Sequence, residues 1–326
     1  MNQSLPTSRL LDYLRLFRIP NVFTAVADIA MGFLLVQGYP TPVSMLVCLV
    51  GCSALIYTAG MVLNDVFDID IDLRERPERP LPAGRISLRT GRWLGFGMLL
   101  AGVLLGGLAG AFPAAEPIAA WRPGVVAVAL AAAVIVYDAW LKRTPLGPLG
   151  MASCRFLNVL LGASVAAPAE TSTIWTAYYD PHPLVAAAGL GIYILGVTWF
   201  ARSEAQRSNR LGLALATAVM LGGIFVLGLV HTTLQRVEPA RELLLSNRFG
   251  WVLLLTLLSF VILRRCVIAI VNPSAREVQL AVKNCILSVI TLDAAVAFDT
   301  SNEYCAGGVL LLLVPTLILG RWVYST

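Results

Sequence analysis

The chain has 326 residues, of which 58% are hydrophobic and only 13% are charged, and its mean hydropathy is +0.77. Soluble domains are about half apolar and about a quarter charged, and disordered chains need low hydrophobicity, so both classes are excluded. The net charge of +5 comes mainly from arginines in short segments between apolar runs, which fits membrane orientation better than nucleic-acid binding.

What remains is a polytopic membrane protein. Apolar runs of about 20 residues recur along the chain, and each is long enough to cross roughly 30 Å of hydrocarbon. They do not alternate as strands do, and an open sheet would leave backbone groups unsatisfied in lipid. The sequence therefore predicts an all-α transmembrane helical bundle of nine or ten helices, forming a single domain over residues 1–326. The predicted spans are 20–37, 43–64, 90–111, 123–141, 148–167, 183–201, 209–231, 249–271, 278–298 and 305–324.

The distribution of positive charge predicts the orientation. Most arginines and lysines fall in segments on the same side of these spans as the N-terminus. Because positive residues are retained in the cytoplasm, the pattern predicts a cytoplasmic N-terminus. The first apolar run is interpreted as an uncleaved anchor. We expect an integral, multi-pass protein of a bacterial inner membrane.

An acidic segment follows the second span. Its six acids are Asp65, Asp68, Asp70, Asp72, Glu75 and Glu78. If the second helix continues through the segment, Asp65, Asp68 and Asp72 fall within roughly 60° of arc, at about 100° per residue. Like charges on one face repel each other, and Mg²⁺ would offset that repulsion because it prefers oxygen ligands and substrate phosphates. The pattern predicts a magnesium site; the alternative is an exposed, mixed-charge loop that only solubilises the protein.

Two arginines and a longer motif extend this segment. Arg76 and Arg79 follow the acids and can pair with phosphate oxygens. The run N-D-x-x-D-x-x-x-D from Asn64, followed by R-P-x-R-P-L-P-x-G, resembles the first aspartate-rich motif of the UbiA superfamily of intramembrane prenyltransferases. The run RIPN at 18–21 resembles the opening of that family, and YDAWLKR at 137–143 resembles its Tyr…Lys element. The resemblance covers about residues 10–230.

The resemblance implies a bundle with a central, lipid-accessible cavity in which Mg²⁺ binds an isoprenoid diphosphate. Departure of the diphosphate leaves an allylic cation, which a membrane-associated and often aromatic acceptor attacks. Such chemistry needs metal and cationic groups for the leaving charge and a cavity that excludes water. The implied metal ligands are Asn64, Asp65, Asp68 and Asp72, and the implied catalytic residues are Asp65, Asp68 and Lys142. The residues expected to bind substrate are Asn21, Asn64, Asp72, Arg76, Arg79, Tyr137, Arg155, Asn158, Arg202 and Glu204.

The chain departs from the family pattern at 199–210, where a second aspartate-rich motif is usual. This stretch has no aspartate, and Glu204 is its only acid, set among Arg202, Arg207 and Arg210. Three readings stay open: an arginine replaces the charge of a second metal, Glu204 alone completes a second site, or the protein binds or transports a lipid or secondary-metabolite precursor without prenyl transfer. We predict that Arg202 and Glu204 act together, which requires a break in the helix, because they lie roughly 200° apart on a continuous one.

Several polar residues lie inside the apolar runs, where such residues usually face a cavity or a partner. Asn21 and Arg155 lie near the helix ends that adjoin the acidic segment, so we expect them in the pocket, with Asn158 one turn beyond Arg155. Asp28 lies deeper, and it either pairs structurally or serves the pocket. The predicted partners are an isoprenoid diphosphate, a membrane-associated acceptor and the bilayer, with no nucleic acid.

Overall fold

The computed structural model describes residues 9–112, 119–165, 179–202, 209–237 and 248–323. Within these ranges the protein is entirely helical and contains no strand. Single 3₁₀ turns, Leu141–Arg143 and Ala163–Val165, lie on either side of the seventh helix. In chain order the helices are α1 (Arg9–Leu16), α2 (Ile19–Gln37), α3 (Val43–Phe67), α4 (Ile69–Glu75), α5 (Leu88–Ala109), α6 (Arg122–Ala139), α7 (Gly147–Gly162), α8 (Pro181–Arg202), α9 (Arg210–Val237), α10 (Arg248–Val271), α11 (Ala275–Thr300), α12 (Glu303–Leu310) and α13 (Leu313–Val323).

Ten segments of the described chain are long and apolar enough to cross a membrane. They coincide with the ten predicted apolar runs, and α12 and α13 together form the last of them, Glu303–Arg321. The predicted integral, multi-pass helical bundle is therefore confirmed. The sequence analysis missed α1 and α4, because both are short and rich in charge. The Asp12 carboxylate of α1 accepts a hydrogen bond from Arg85 Nε at 2.8 Å, which ties α1 to the segment before α5.

Small residues let α5 pack closely against α3. The buried face of α5 consists of Gly91, Gly95, Leu99, Gly102, Gly106 and Ala109. A Cβ atom at Gly95 would lie only 2.6 Å from Leu63, and one at Gly102 only 2.7 Å from Ile56, so the close approach requires glycine. Helices in membranes associate through such small residues, because lipid provides no hydrophobic drive for them to pack. This packing holds the end of α3, which carries the acidic residues, in a fixed place.

The backbone breaks inside the acidic segment. Helix α3 ends at Phe67, and Asp68 has φ −97° and ψ 10° as the residue between α3 and α4. The prediction of one continuous helix, on which the shared acidic face depended, is therefore wrong. The break leaves Asp65 and Asp72 buried, whereas Asp68 is partly exposed.

Candidate active site

The acidic segment meets basic residues from other parts of the chain at one end of the bundle. The first is Arg18, the residue just before α2, which has a left-handed backbone conformation with φ 46° and ψ 45°. Few residues other than glycine adopt this conformation, so the surrounding structure must hold it there. Arg18 Nη2 donates a hydrogen bond to Asp65 Oδ1 at 2.9 Å.

A single guanidinium group joins the two buried aspartates. Arg79 Nη1 lies 3.2 Å from Asp65 Oδ1 and 2.8 Å from Asp72 Oδ2. Both carboxylates are 3% exposed, so their charges need nearby compensation. Arg79 therefore does what the sequence analysis assigned to a metal: it brings Asp65 and Asp72 together.

The third aspartate faces a different set of cations, on the 3₁₀ turn after α6. Lys142 Nζ lies 2.7 Å from Asp68 Oδ2 and 2.9 Å from Asn64 Oδ1. Arg143 Nη2 lies 3.1 Å from Asp68 Oδ1. The turn is itself held from α8, because the Arg202 guanidinium donates to the Lys142 backbone carbonyl.

The structure thus brings together most of the predicted site residues. The residues that meet at this end of the bundle are Asn64, Asp65, Asp68, Asp72, Arg79, Lys142 and Arg202. Arg76 is exposed at the end of α4 and makes no ion pair with the described residues. Asn21 lies in the first turn of α2, where its carbonyl accepts a hydrogen bond from the Thr24 hydroxyl. Glu204 and Arg207 lie outside the described residues, so the predicted pairing of Arg202 with Glu204 stays a prediction.

Two cations of this site, Arg18 and Arg143, were missed as site residues in the sequence analysis, although both lie within the motifs that carried the resemblance. The signal available was their position: each lies at the end of an apolar run, on the side of the acidic segment.

The residues present fit a metal–diphosphate ligand, although the carboxylates do not form a cluster by themselves. Among the described residues no group of three acidic, histidine or cysteine side chains is arranged to hold a metal ion, because cations separate the aspartates. The available donors are carboxylate and amide oxygens, which Mg²⁺ prefers. The cations between them include guanidinium groups, which suit phosphate oxygens.

A cavity lies inside the bundle next to this site, and its wall includes the residues four positions before Asp65 and Lys142. Tyr137, Arg155 and Asn158, all predicted to bind substrate, contribute to its wall. The other lining residues are Ala25, Ser53, Ile56, Tyr57, Gly60, Met61, Leu130, Val134, Asp138, Met151 and Cys154.

A buried polar network supports the wall of the cavity. Arg155 Nη1 and Asn158 Nδ2 both donate to Asp28 Oδ2, each at 2.9 Å. Arg155 Nη2 donates to the Thr24 hydroxyl at 2.8 Å, and the Ser53 hydroxyl donates to Asn158 Oδ1 at 2.7 Å. The network answers the question that the sequence left open for Asp28, which pairs with Arg155 between α2 and α7.

Comparison with known proteins identifies relatives. A sequence model of the UbiA prenyltransferase family matches residues 25–211, more than half of the chain. The digeranylgeranylglyceryl phosphate synthase of Metallosphaera sedula is 32% identical over 151 residues, which are 46% of this chain and 50% of that protein. The chain therefore spans about half the length of the curated relatives it matches.

Solved structures share the fold over a larger part of the chain. A digeranylgeranylglyceryl phosphate synthase in membranes has a TM-score of 0.60 and 18% identity, covering 90% of this chain and 99% of that one. A UbiA homologue from Archaeoglobus fulgidus, solved with bound GPP and Mg²⁺, has a TM-score of 0.52 and 14% identity, covering 87% and 99%. At these identities the structures establish the fold alone.

Proposed function

Because the chain belongs to the UbiA prenyltransferase family, we propose that it is an Mg²⁺-dependent enzyme that transfers a prenyl group from an isoprenoid diphosphate to a membrane-associated acceptor. The observation that carries this proposal is the meeting of carboxylates and cations beside a mostly apolar cavity. An isoprenoid diphosphate matches this arrangement, because its diphosphate head is highly charged and its isoprenoid chain is apolar.

The roles of the residues follow from their chemistry. Asp65, Asp68 and Asp72, with the Asn64 amide oxygen, supply the ligands that would hold Mg²⁺. When bound, the metal neutralises charge on the departing diphosphate. Arg79 and the basic residues of the other two motifs are placed to bind phosphate oxygens in the same region.

The names of the relatives support one acceptor class. Several are digeranylgeranylglyceryl phosphate synthases, whose product name describes two prenyl chains on a glyceryl phosphate. We propose that the acceptor here is a prenylated glyceryl phosphate whose free hydroxyl is the nucleophile. An aromatic acceptor, as the resemblance first suggested, is the alternative within the same reaction class.

A second candidate function rests on the sequence at 199–210. That stretch has a single acid, Glu204, where the resemblance implies a second aspartate-rich motif. A protein that keeps the fold but binds or transports a lipid or secondary-metabolite precursor would need no second metal site.

The test uses purified protein, geranylgeranyl diphosphate and geranylgeranylglyceryl phosphate, with and without Mg²⁺. We expect Mg²⁺-dependent release of diphosphate and formation of a product with two prenyl chains. We expect Asp68→Ala to abolish Mg²⁺-dependent binding of the diphosphate in calorimetry, and Asp70→Ala to leave it unchanged, because Asp70 is exposed and outside the ion pairs.

Two results would contradict the proposal. Unchanged affinity in folded Asp68→Ala would remove the assignment of this site. Tight binding by the unmodified protein without any diphosphate release, across a panel that includes 4-hydroxybenzoate, would favour the binding or transport function.

A further inference from the structure

One acidic residue in the cavity wall takes part in none of the ion pairs described above. Asp138 lies one residue before the end of α6, within the segment that resembles the Tyr…Lys element. Its side chain is 3% exposed and lines the cavity. Among the described residues no hydrogen bond or ion pair joins its carboxyl group to another side chain.

The Asp138 carboxyl group lies beside a glycine of the facing helix. This residue is Gly60 of α3, where an added Cβ atom would lie 3.7 Å from Asp138 Oδ2, in ordinary van der Waals contact, and 2.9 Å from Val134. Gly60 also lines the cavity. A buried polar group normally has a partner, because an unsatisfied one costs about 1–3 kcal/mol. The partner of Asp138 is therefore expected to come from the contents of the cavity.

The position of Asp138 relates the cavity to the charged site. Asp138 lies four residues before Lys142, whose Nζ lies 2.7 Å from Asp68 Oδ2. Asp138 therefore lies where the diphosphate-binding end gives way to the apolar interior. The bond between the prenyl C1 and the diphosphate oxygen has to break at this same boundary, because the diphosphate is bound on one side and the prenyl chain on the other.

We propose that Asp138 is a catalytic residue that takes the proton of the acceptor nucleophile, which is a neutral hydroxyl group. The inference rests on the function proposed above. The C1–O bond to the diphosphate breaks, and its electron pair leaves with the diphosphate. A new bond forms between C1 and the hydroxyl oxygen of the acceptor, and the hydroxyl proton passes to the Asp138 carboxylate, which later returns it to solvent.

Charge supports a neutral nucleophile. An acceptor whose reacting atom is already anionic would meet a buried carboxylate with no paired cation, and this encounter is unfavourable in a site of low dielectric. A neutral hydroxyl group would instead donate a hydrogen bond to the Asp138 carboxyl group. The proposed reaction requires a cavity that excludes water, so no solvent base would be at hand and the proton released during bond formation would need an acceptor within the wall.

The test compares Asp138→Asn with the unmodified full-length protein in lipid nanodiscs. The substrates are geranylgeranyl diphosphate and geranylgeranylglyceryl phosphate, and Asp70→Asn is the matched control. We expect Asp138→Asn to lower kcat by about 10²–10⁴-fold, the usual contribution of a positioned base. We expect it to leave unchanged the KM for the acceptor and the Mg²⁺-dependent Kd of an unreactive thio analogue of the diphosphate. Asp138→Ser is made in parallel, so that poor folding of one variant does not prevent the measurement.

Each other outcome overturns the inference in an identifiable way. Retained kcat in Asp138→Asn shows that the proton goes elsewhere, while the proposed function stands. Loss of analogue binding assigns Asp138 to the metal–diphosphate site, and a raised acceptor KM with unchanged kcat makes it a binding residue only. Absence of turnover in the unmodified protein overturns the proposed function and this inference together.

Discussion

Two aspartates buried in the bundle are expected to lose different amounts of stability on the same substitution. Asp28 is 0% and Asp293 is 1% exposed, and the two side chains lie beside each other. Asp28 Oδ2 accepts hydrogen bonds from Arg155 and Asn158, both at 2.9 Å. Neither carboxylate oxygen of Asp293 has a hydrogen-bond partner among the described residues other than the neighbouring Asp28 carboxyl group.

The magnitudes follow from these contacts. Asp28→Ala removes the paired counter-ion of Arg155 and leaves that charge buried, and breaking a buried pair in this way costs about 3–5 kcal/mol. Asp293→Ala removes a buried carboxyl group whose one hydrogen-bonding neighbour among the described residues is the Asp28 carboxyl, so we expect a cost of at most about 1 kcal/mol. The expected difference between the two variants is therefore at least about 2 kcal/mol.

The assay is equilibrium unfolding of the purified variants in detergent micelles, with the free energy of unfolding compared at one detergent composition. Arg155→Met combined with Asp28→Ala completes a double-mutant cycle. We expect the double variant to be more stable than Asp28→Ala alone, because Arg155 no longer leaves an unpaired charge in the bundle. Equal losses for the two alanine variants would refute the assignment of Asp28 as the counter-ion of Arg155.

Two further predictions concern the charged end of the bundle. Arg79→Ala is expected to weaken Mg²⁺-dependent binding of geranylgeranyl diphosphate in calorimetry by about 10–100-fold, or about 1.4–2.8 kcal/mol, whereas Arg76→Ala leaves it unchanged because Arg76 is outside the ion pairs. Equal effects of the two arginines would argue against the role of Arg79. The orientation in the membrane can be tested with single cysteines that replace Tyr39 and Arg74, which are both exposed and are separated by α3. We expect them to react with a membrane-impermeant maleimide from opposite sides of the membrane, with Arg74→Cys on the cytoplasmic side. Labelling of both from the same side would contradict the predicted topology.

The membrane spans could be predicted because the length of an apolar run is enough to identify each of them. Each apolar run needs only length and composition to be recognised, and all ten runs became helices. Helices α1 and α4 could not be found in this way, because they are short and charged and depend on tertiary contacts such as that between Asp12 and Arg85. The break at Asp68 was missed for a similar reason, since helical spacing alone does not show where a helix stops.

The candidate site could be predicted in its composition but not in its pairing. The sequence identified the acidic segment and most of the residues that meet it. It could not show that Arg79 bridges Asp65 and Asp72, because that contact depends on how the chain folds back after α4. Asp138 had a signal in the sequence, as an acid inside an apolar run, but the resemblance drew attention to its neighbours Tyr137 and Lys142 instead.

The ion pairs between the three aspartates and their basic partners make ligand binding an exchange of counter-ions. A divalent cation that arrives alone must displace Arg79 or Lys142 from a carboxylate and leave that group without compensation. Diphosphate alone draws the same cations away and leaves the carboxylates exposed to one another. Only when Mg²⁺ and diphosphate bind together would each carboxylate and each basic side chain gain a new counter-ion for the one that it loses. Their affinities are therefore linked, and each must raise the affinity for the other by the same factor. If the proposed site is correct, the resting protein would bind free magnesium or free phosphate weakly and the complete metal–diphosphate tightly.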